Sequence, residues 1–353
     1  MGLQSTIEVG EIGIGGDSPP LFLADIGTYF NQDLARGKRL IDDIADCGLR
    51  FVKGEVLHDA GVCLDCDLEE VITDGKARIT TERYRDVIER KVLPLSSYDE
   101  LFSHARRRGL GLAVSVYDDT GIAYAMEIGA EILKVASSNI VHKPLIERIA
   151  RTGRPTIIDT GRAALGEILR AVQWFVNAGG SALIVEYSPP APPVPVSMQG
   201  IRFIETLRTV FQCPIGLSDH HAGEEMLYAA IAIGATVLEK GVCPNDLDRE
   251  QDRAHALAVR ELGDVVRKCS NVHMGMGNTV PELRAPQPPH PARMGLIARR
   301  DLERGDVLTE REIGFAFPAV GVAVEDIDRV LGWRVRNGVR AGCPIRWTDL
   351  DGP

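Results

Sequence analysis

Lysines and serines stand at the ends of several short apolar runs of this 353-residue chain. Lys53 and Lys134 each close such a run, although only eight of the 40 basic residues are lysine. Ser115, Ser137 and Ser218 end or directly follow other runs. Ammonium groups neutralise negative charge, and short hydroxyls donate hydrogen bonds at close range. Together these side chains predict a pocket for a small anion that bears phosphate and carboxylate.

Carboxylates and one histidine stand at or beyond the ends of other runs. Asp25, Glu55, Glu239 and Asp252 are candidates for acid–base groups or for metal ligands. His220 is a candidate metal ligand, although a loop histidine held by a hydrogen bond has the same sequence pattern.

Eight apolar runs, which alternate with amphipathic stretches, supply the elements that position these side chains. Apolar strands separated by amphipathic helices are typical of a parallel sheet covered on both faces, and eight such units fit a (β/α)8 TIM barrel of the α/β class. The loops at the carboxyl ends of the strands carry the site in that fold. A doubly wound open sheet is the alternative, but the glycine-rich segment 13–16 precedes the first run, whereas a dinucleotide-binding turn follows its strand. The predicted strands are Leu21–Ala24, Arg50–Lys53, Leu112–Ser115, Ile132–Val135, Thr156–Asp159, Ala182–Glu186, Pro214–Leu217 and Thr236–Glu239.

Two stretches interrupt this alternation. The segment His58–Leu110 is long enough to build substrate loops, with helices expected at Tyr84–Arg90 and Ser97–Arg108. Five prolines between positions 281 and 291 are typical of a stiff, extended linker. We therefore predict a barrel domain at 1–273, a linker at 274–293 and a small β-rich domain at 294–353.

Composition and charge exclude several classes of protein. The formal net charge of −10 is unsuited to coating nucleic acid or an anionic membrane. We find no run of 18 apolar residues that could span a bilayer, and the first 16 residues lack the pattern of a secretory signal. Seven cysteines, an odd number, suit reduced thiols in the cytoplasm, and the pair Cys63 and Cys66 is interpreted as incidental.

Taken in order, the polar strand ends resemble those of the sialic acid synthase (NeuB) family, which includes N-acetylneuraminate, legionaminate and pseudaminate synthases. The resemblance covers nearly the whole chain, a barrel followed by an antifreeze-like SAF domain. Its specificity rests on the order and spacing of the motifs. The landmarks are Ala24–Gly27, Val52–Lys53, Lys134–Ser137, Asp159–Gly161, Gly216–His220, Leu238–Lys240 and Arg300–Thr309.

This resemblance implies an enzyme that condenses phosphoenolpyruvate with a sugar-like aldehyde and releases phosphate. It implies a divalent metal, Mn or Mg, bound through His220, and a homodimer in which each SAF domain covers the partner's barrel mouth. The catalytic residues would be Asp25, which stands where the family has Glu, with Glu55, Glu239 and Asp252. Phe317 stands roughly where a SAF arginine reaches the sugar. The residues that would bind phosphoenolpyruvate or the acceptor are Lys53, Ser115, Lys134, Ser137, Thr160, Gly161, Tyr187, Ser218, Asp219, Lys240 and Phe317.

Several positions depart from the family pattern. The segment Tyr29–Asp33 lacks the family's histidine, Glu55 and Asp159 stand in place of Gln and Ser, and Gly241 stands in place of the second metal histidine. Three hypotheses follow: a phosphoenolpyruvate-dependent synthase with an altered acceptor, a lyase or metal-independent aldolase on a related keto acid, and a non-catalytic binding paralogue. The sequence leaves open the acceptor, the pathway, metal binding and whether condensation is retained.

Overall fold

The computed structural model describes residues 2–73, 79–190, 195–247, 252–277 and 293–352. Within these residues, eight parallel strands close into a barrel, since the last strand pairs with the first as well as with its predecessor. All eight predicted strands are confirmed: six agree within two residues at each end, whereas the second and the eighth run three and four residues beyond their predicted ends. The barrel strands are β3 (Leu21–Asp25), β4 (Phe51–Val56), β7 (Gly111–Val116), β8 (Ile132–Val135), β9 (Thr156–Asp159), β10 (Leu183–Tyr187), β11 (Ile215–Asp219) and β12 (Val237–Cys243).

Two layers of side chains fill the barrel because alternate residues of a strand share one face. The lower layer is almost entirely apolar, and each of its members has a polar counterpart two positions further along the same strand. The lower layer contains Leu23, Phe51, Ala113, Ile132, Ile157, Ile184, Gly216 and Val237. The upper layer, at the carboxyl ends of the strands, contains Asp25, Lys53, Ser115, Lys134, Asp159, Glu186, Ser218 and Glu239.

An N-terminal hairpin closes the lower end of the barrel. It consists of β1 (Thr6–Val9) and β2 (Ile12–Gly15), paired antiparallel. The side chains of Ile7, Val9 and Ile14 are buried against the lower layer and form one apolar cluster with it. The sequence analysis did not predict this hairpin.

Helices surround the barrel and bury their apolar faces against the outer sides of the strands. Several begin at a capping side chain: Asp33 accepts a hydrogen bond from the Arg36 amide, and Asp118 accepts one from the Gly121 amide. A short strand, β13 (Leu257–Ala258), extends the sheet beside β12. The helices of this unit are α1 (Leu34–Asp46), α2 (Tyr84–Glu89), α3 (Leu95–Arg107), α4 (Asp119–Glu127), α5 (Lys143–Arg151), α6 (Leu165–Asn177), α7 (Phe203–Phe211), α8 (Glu225–Ala232) and α9 (Val259–Met276).

The long segment between β4 and β7 contains α2 and α3, as the sequence predicted. Ahead of them, β5 (Glu69–Thr73) and β6 (Ile79–Arg83) form a hairpin that was not predicted. Helix α3 packs against α1 and so occupies a regular place in the outer ring, whereas the hairpin and α2 form the true insertion.

The chain divides into two compact units, residues 1–277 and 278–353. Helix α9 ends at Met276, so the first residues of the predicted linker are helical. Most of that linker lies outside the described residues. The second unit contains β14 (Gly295–Ala298), β15 (Ile313–Ala316), α10 (Ile327–Val330), β16 (Arg334–Val335) and β17 (Leu350–Asp351).

The second unit has its own apolar core, against which Trp333 packs. The sequence favours the same core for Phe315, but this prediction is wrong, because the Phe315 side chain is 46% exposed.

Candidate active site

The carboxyl ends of the barrel strands surround a cavity of about 630 Å³. Most of the predicted site residues line this cavity, because the upper layer of inward-facing side chains forms its floor. The predicted residues that line the cavity are Asp25, Lys53, Glu55, Ser115, Lys134, Ser137, Ser218, Asp219, His220, Glu239 and Asp252.

Lys53 is almost completely buried and faces three carboxylates. Its Nζ lies 2.8 Å from Asp25 Oδ2, 3.1 Å from Glu55 Oε1 and 3.8 Å from Glu239 Oε1. Burial alone would lower the pKa of Lys53, but these three negative charges raise it well above its ordinary value. Lys53 is therefore a fixed positive charge at the centre of the cavity.

Lys134 repeats this arrangement on the opposite side of Glu239. Its Nζ lies 2.6 Å from Glu239 Oε1, 2.7 Å from Glu186 Oε2 and 3.1 Å from Asp159 Oδ2. The three carboxylates raise the pKa of Lys134 well above its ordinary value against the effect of burial. Glu239 thus bridges the two lysines, and we call Lys53, Lys134 and their carboxylates the anion end.

The carboxyl groups of the anion end fall into two kinds. Burial raises the pKa of Asp25 to about 7 against the opposing charge of Lys53, and burial with the charge of Glu239 raises that of Glu186 to about 8. Burial also acts on Glu55, but Lys53 and Lys91 lower its pKa to about 2. Lys134 and Lys53 likewise lower the pKa of Glu239 against burial. Near neutral pH the site therefore holds protonated and ionised carboxyl groups side by side.

Three buried oxygens at or beside the anion end, Ser115 Oγ, Glu186 Oε1 and Glu239 Oε2, have no hydrogen-bond partner among the described residues. Ser218 Oγ donates to Glu239 Oε1 at 3.3 Å, and the Tyr117 hydroxyl donates to Glu55 at 3.2 Å. Buried polar atoms without a protein partner leave hydrogen-bonding capacity for water or for a ligand, and of these the Ser115 hydroxyl can donate to an anion.

Four predicted substrate-binding residues lie behind the cavity wall. Lys240 Nζ donates to Asp219 Oδ2 at 2.8 Å and to the carbonyls of His221 and Gly223, so it fixes the loop after β11. The Tyr187 hydroxyl donates to the Gln199 carbonyl at 2.6 Å and anchors the loop after β10. The remaining two are Thr160, which accepts from the Ser188 amide, and Gly161, whose backbone approaches Ser137.

Two family models match this chain. The model of the NeuB family matches residues 40–281, which is more than half of the chain, and the model of the SAF domain matches residues 293–351. The chain belongs to the NeuB family. The predicted synthase-type barrel with a C-terminal SAF domain is therefore confirmed.

Individual relatives agree with the family. The chain is 25% identical over 316 residues to N,N'-diacetyllegionaminic acid synthase of Campylobacter jejuni, covering 88% of this chain and 94% of the relative. It is 24% identical to pseudaminic acid synthase of Helicobacter pylori over 94% and 98% of the two chains. The N-acetylneuraminic acid synthetase structure from Leptospira borgpetersenii shares the fold, with a TM-score of 0.71, 24% identity and coverage of 80% and 94%.

Beyond the anion end, on the loops and at the last residues of the strands, the cavity is also lined by Tyr29, His220, Gly241 and His255, which we call the acceptor end. His220 Nδ1 lies 3.1 Å from the Ser218 carbonyl and 3.3 Å from Ser188 Oγ. The His255 ring lies 4.8 Å from that of His220, and burial lowers the pKa of His255 well below its ordinary value.

The NeuB-family resemblance implies a divalent metal near His220, but the side chains around it do not fit one. Among the described residues, no group of three or more His, Cys, Asp or Glu side chains is arranged to hold an ion. Gly241 offers no donor where the family has its second metal histidine. The space that a side chain at this position would enter is filled by Tyr29, whose hydroxyl oxygen lies 2.3 Å from the place of a Cβ atom.

Some side chains that the structure brings to the site were given no role by the comparison with the NeuB pattern. Asp159 and Glu186 could have been found from the sequence, because each stands two positions beyond an inward apolar residue of its strand. Tyr117 likewise follows a strand end. Tyr29 and His255 lie in irregular segments, where spacing gives no such signal.

Phe317, the remaining predicted site residue, belongs to the second unit and is 59% exposed.

Within the described residues, the structure has no helix long and apolar enough to cross a membrane.

Proposed function

We propose that this protein condenses phosphoenolpyruvate with the aldehyde of a sugar-like acceptor, which yields a 2-keto-3-deoxy acid and inorganic phosphate. The observation that carries the proposal is the pair of buried lysines, Lys53 and Lys134, which converge on Glu239 in one cavity with the hydroxyls of Ser115 and Ser218. Two ammonium groups with short hydroxyl donors suit a ligand that bears a phosphate and a carboxylate on one carbon atom.

Binding of this anion requires an exchange of partners at both lysines. Each ammonium faces three carboxyl groups in the free protein. Binding of an added trianion is therefore favourable only when part of the negative charge of these groups is neutralised. Asp25 and Glu186, with pKa values of about 7 and 8, are the carboxyl groups that hold a proton near neutral pH. We therefore propose that phosphoenolpyruvate binds to the protein with both groups protonated.

In the reaction, C3 of phosphoenolpyruvate forms a bond to the aldehyde carbon, and the carbonyl electron pair moves to the aldehyde oxygen. Water adds to C2, and the bond between C2 and the phosphate oxygen breaks. One proton of this water ends on the new hydroxyl and the other on the released phosphate. The ionised Glu239, at the centre of the site, is the base that takes a proton from the water. Asp25, which enters the reaction protonated, gives its proton to the oxygen that becomes the new hydroxyl.

The acceptor occupies the wider outer part of the cavity. Lys91 and Asp252 lie at this rim with their charged atoms 3.9 Å apart, and Asp252 is 40% exposed. A polar, partly hydrated rim is suited to the hydroxyl groups of a sugar-like compound. No step of this proposal is derived through a metal ion.

Phosphate release from phosphoenolpyruvate with a panel of sugar aldehydes, measured with and without Mn, tests the reaction. We expect turnover with at least one aldehyde and a large loss in Lys53→Met, whereas Lys143→Met, which changes an exposed lysine of α5, keeps wild-type activity. Calorimetry that shows no binding of phosphoenolpyruvate to the wild-type protein would exclude the proposal. Pyruvate release from 2-keto-3-deoxy acids, with no phosphate-dependent step, would favour the lyase alternative.

We further propose a cytoplasmic homodimer in which the SAF unit of one protomer covers the barrel mouth of its partner, with Phe317 facing the acceptor. Supporting this, Phe315, Phe317 and Val320 are all exposed apolar side chains of the second unit. About 16 residues separate the end of α9 from residue 293, and a chain of that length can span on the order of 50 Å at about 3.1 Å per residue, which is long enough for such an exchange. Light scattering that gives a monomer at micromolar concentration would contradict the exchange, and full activity after deletion of residues 294–353 would contradict the covering role.

A further inference from the structure

Tyr29 lies in the acceptor end of the cavity, in a cradle formed by two glycines. A Cβ atom at Gly27 would lie 3.4 Å from the ring of Tyr29, and one at Gly241 would lie 2.3 Å from its hydroxyl oxygen. Position 241 follows the inward-facing Glu239 by two residues, so the space above Gly241 is the interior of the barrel. The phenol of Tyr29 therefore occupies the place that a side chain at position 241 would take.

The ring of Tyr29 is fixed in this position. It is 95% buried and forms an apolar cluster with Cys243, Leu247 and Ala256. Its backbone amide donates to the Ile26 carbonyl at 3.0 Å, within the turn that follows β3. A side chain held by packing on its ring and by a backbone hydrogen bond keeps its hydroxyl in one place, which is what preorganised polarisation requires.

The two histidines of the acceptor end do not compensate for the missing ligand at position 241. His220 Nδ1 lies within hydrogen-bond distance of the Ser218 carbonyl and of Ser188 Oγ, which belongs to the loop after β10. His255 is 97% buried, and its Nδ1 has no hydrogen-bond partner among the described residues. Neither histidine belongs to a group of three potential ligands within the described part of the chain.

We propose that the hydroxyl of Tyr29 polarises the acceptor aldehyde, in the place where a metal ion would otherwise do so. This inference rests on the proposed condensation. The Tyr29 O–H donates a hydrogen bond to the aldehyde oxygen, which becomes more negative as its carbon bonds to C3 of phosphoenolpyruvate. That oxygen takes up the proton of Asp25 to become the hydroxyl of the product, a proton of the water that adds to C2 restores the one on Asp25, and Tyr29 keeps its own proton throughout.

A metal titration without any acceptor tests whether Tyr29 occupies the position in which a metal ion would bind. We expect calorimetry to detect no stoichiometric binding of Mn at up to millimolar concentration to the metal-stripped wild-type protein. The double variant Tyr29→Ala/Gly241→His, in which the phenol is removed and an imidazole is added opposite His220, is expected to bind Mn at least tenfold more tightly. Stoichiometric micromolar binding of Mn to the wild type would overturn the inference.

Turnover of the metal-stripped protein tests whether the Tyr29 hydroxyl polarises the aldehyde without a metal ion. We expect EDTA to leave phosphate release by the wild type unchanged. Tyr29→Phe should lower kcat by about 10²- to 10³-fold, the range for loss of one preorganised donor, with the dissociation constant for phosphoenolpyruvate unchanged. Tyr124→Phe, which removes a buried hydroxyl bonded to Asp99 outside the cavity, is the matched control and should retain its kcat.

The outcomes separate this inference from the proposed function. A kcat of Tyr29→Phe within twofold of wild type, or loss of activity in EDTA with recovery in Mn, would overturn the role of Tyr29 and leave the condensation standing. Absence of phosphate release with every aldehyde would overturn the condensation and with it the polarising role. In that case the Mn titration still decides whether Tyr29 fills the metal position.

Discussion

The anion end and the acceptor end of the cavity are built on different physical grounds. At the anion end, the position of each lysine is determined by charge, since each ammonium meets three carboxyl groups of the barrel strands. At the acceptor end, one aromatic ring is held by packing against two glycines. Changes at the first end should therefore alter binding, proton uptake and stability together, whereas changes at the second should alter turnover alone.

The largest effect is expected from Glu239→Gln, which removes the charge shared by both lysines. The amide cannot take a proton from water, so kcat should fall by about 10²- to 10⁴-fold. Because the anion end becomes less negative, phosphoenolpyruvate should bind at least as tightly as before. Stopped-flow phosphate release and calorimetry measure the two quantities separately, with the exposed Glu225→Gln as control.

Lys134→Ala tests the electrostatic description of the anion end directly. Loss of one charge-assisted contact should weaken phosphoenolpyruvate binding by about 1.5–3 kcal/mol, or roughly 10- to 150-fold. Removal of one partner from a buried ionic cluster should also lower the free energy of unfolding by about 3–5 kcal/mol. Calorimetry and urea denaturation at pH 8 check both values. A variant of unchanged stability would show that the three carboxylates do not depend on Lys134.

Gly241→Ala examines the acceptor end, since the added methyl group must displace the hydroxyl of Tyr29. Displacement of a catalytic group by about 1 Å lowers kcat by about 10- to 100-fold, while the affinity for phosphoenolpyruvate should stay at the wild-type value. Gly263→Ala is the matched control, because its Cβ atom meets only Cys47 Sγ, at 3.5 Å. A parallel loss of kcat and of affinity would mean that the two ends are not independent.

The smallest expected effect is on the pH dependence of stability. Glu186 has a pKa of about 8 in the folded protein against 4.5 for an unperturbed group, so the folded state retains a proton that the unfolded chain releases. Its contribution is complete below pH 4.5 and is lost as the pH rises through 8. In Glu186→Gln, the fall in unfolding free energy between pH 5 and 9 should be smaller than in wild type by up to a few kcal/mol.

Urea denaturation across this pH range measures the difference, and the exposed Glu205→Gln should follow the wild-type curve. An equal fall in wild type and Glu186→Gln would mean that Glu186 is ionised in the folded protein throughout this range.

Much of the fold followed from the sequence, because buried parallel strands are short, apolar and regularly spaced. The same regularity located the anion end, since Lys53, Lys134 and Ser218 stand at strand ends. It did not reveal that the lysines are each surrounded by acids, because those contacts join strands that are distant in the chain: Glu186 and Glu239 lie 52 and 105 residues from Lys134.

The acceptor end was predicted less well. Position 241 was recognised as unusual because a glycine stands where the family has a histidine, but the sequence did not show what fills the space. Tyr29 and Gly241 lie 212 residues apart, and only the closure of β12 against β3 brings them together. The N-terminal hairpin was missed because its strands are four residues each and precede the regular alternation.

That hairpin has a kinetic consequence. Ile7, Val9 and Ile14 seal the lower end of the barrel, so that among the described residues the cavity opens at the carboxyl ends of the strands. Lys134 and Glu186 lie at its deep end, with side chains 3% and 0% exposed, whereas Asp252 lies at the rim with 40% exposure. An acceptor bound at the rim would block the path to the lysines, so the two substrates must add in a fixed sequence, phosphoenolpyruvate first. Initial-rate patterns should be those of a compulsory-order mechanism, with the acceptor trapping the first substrate on the protein.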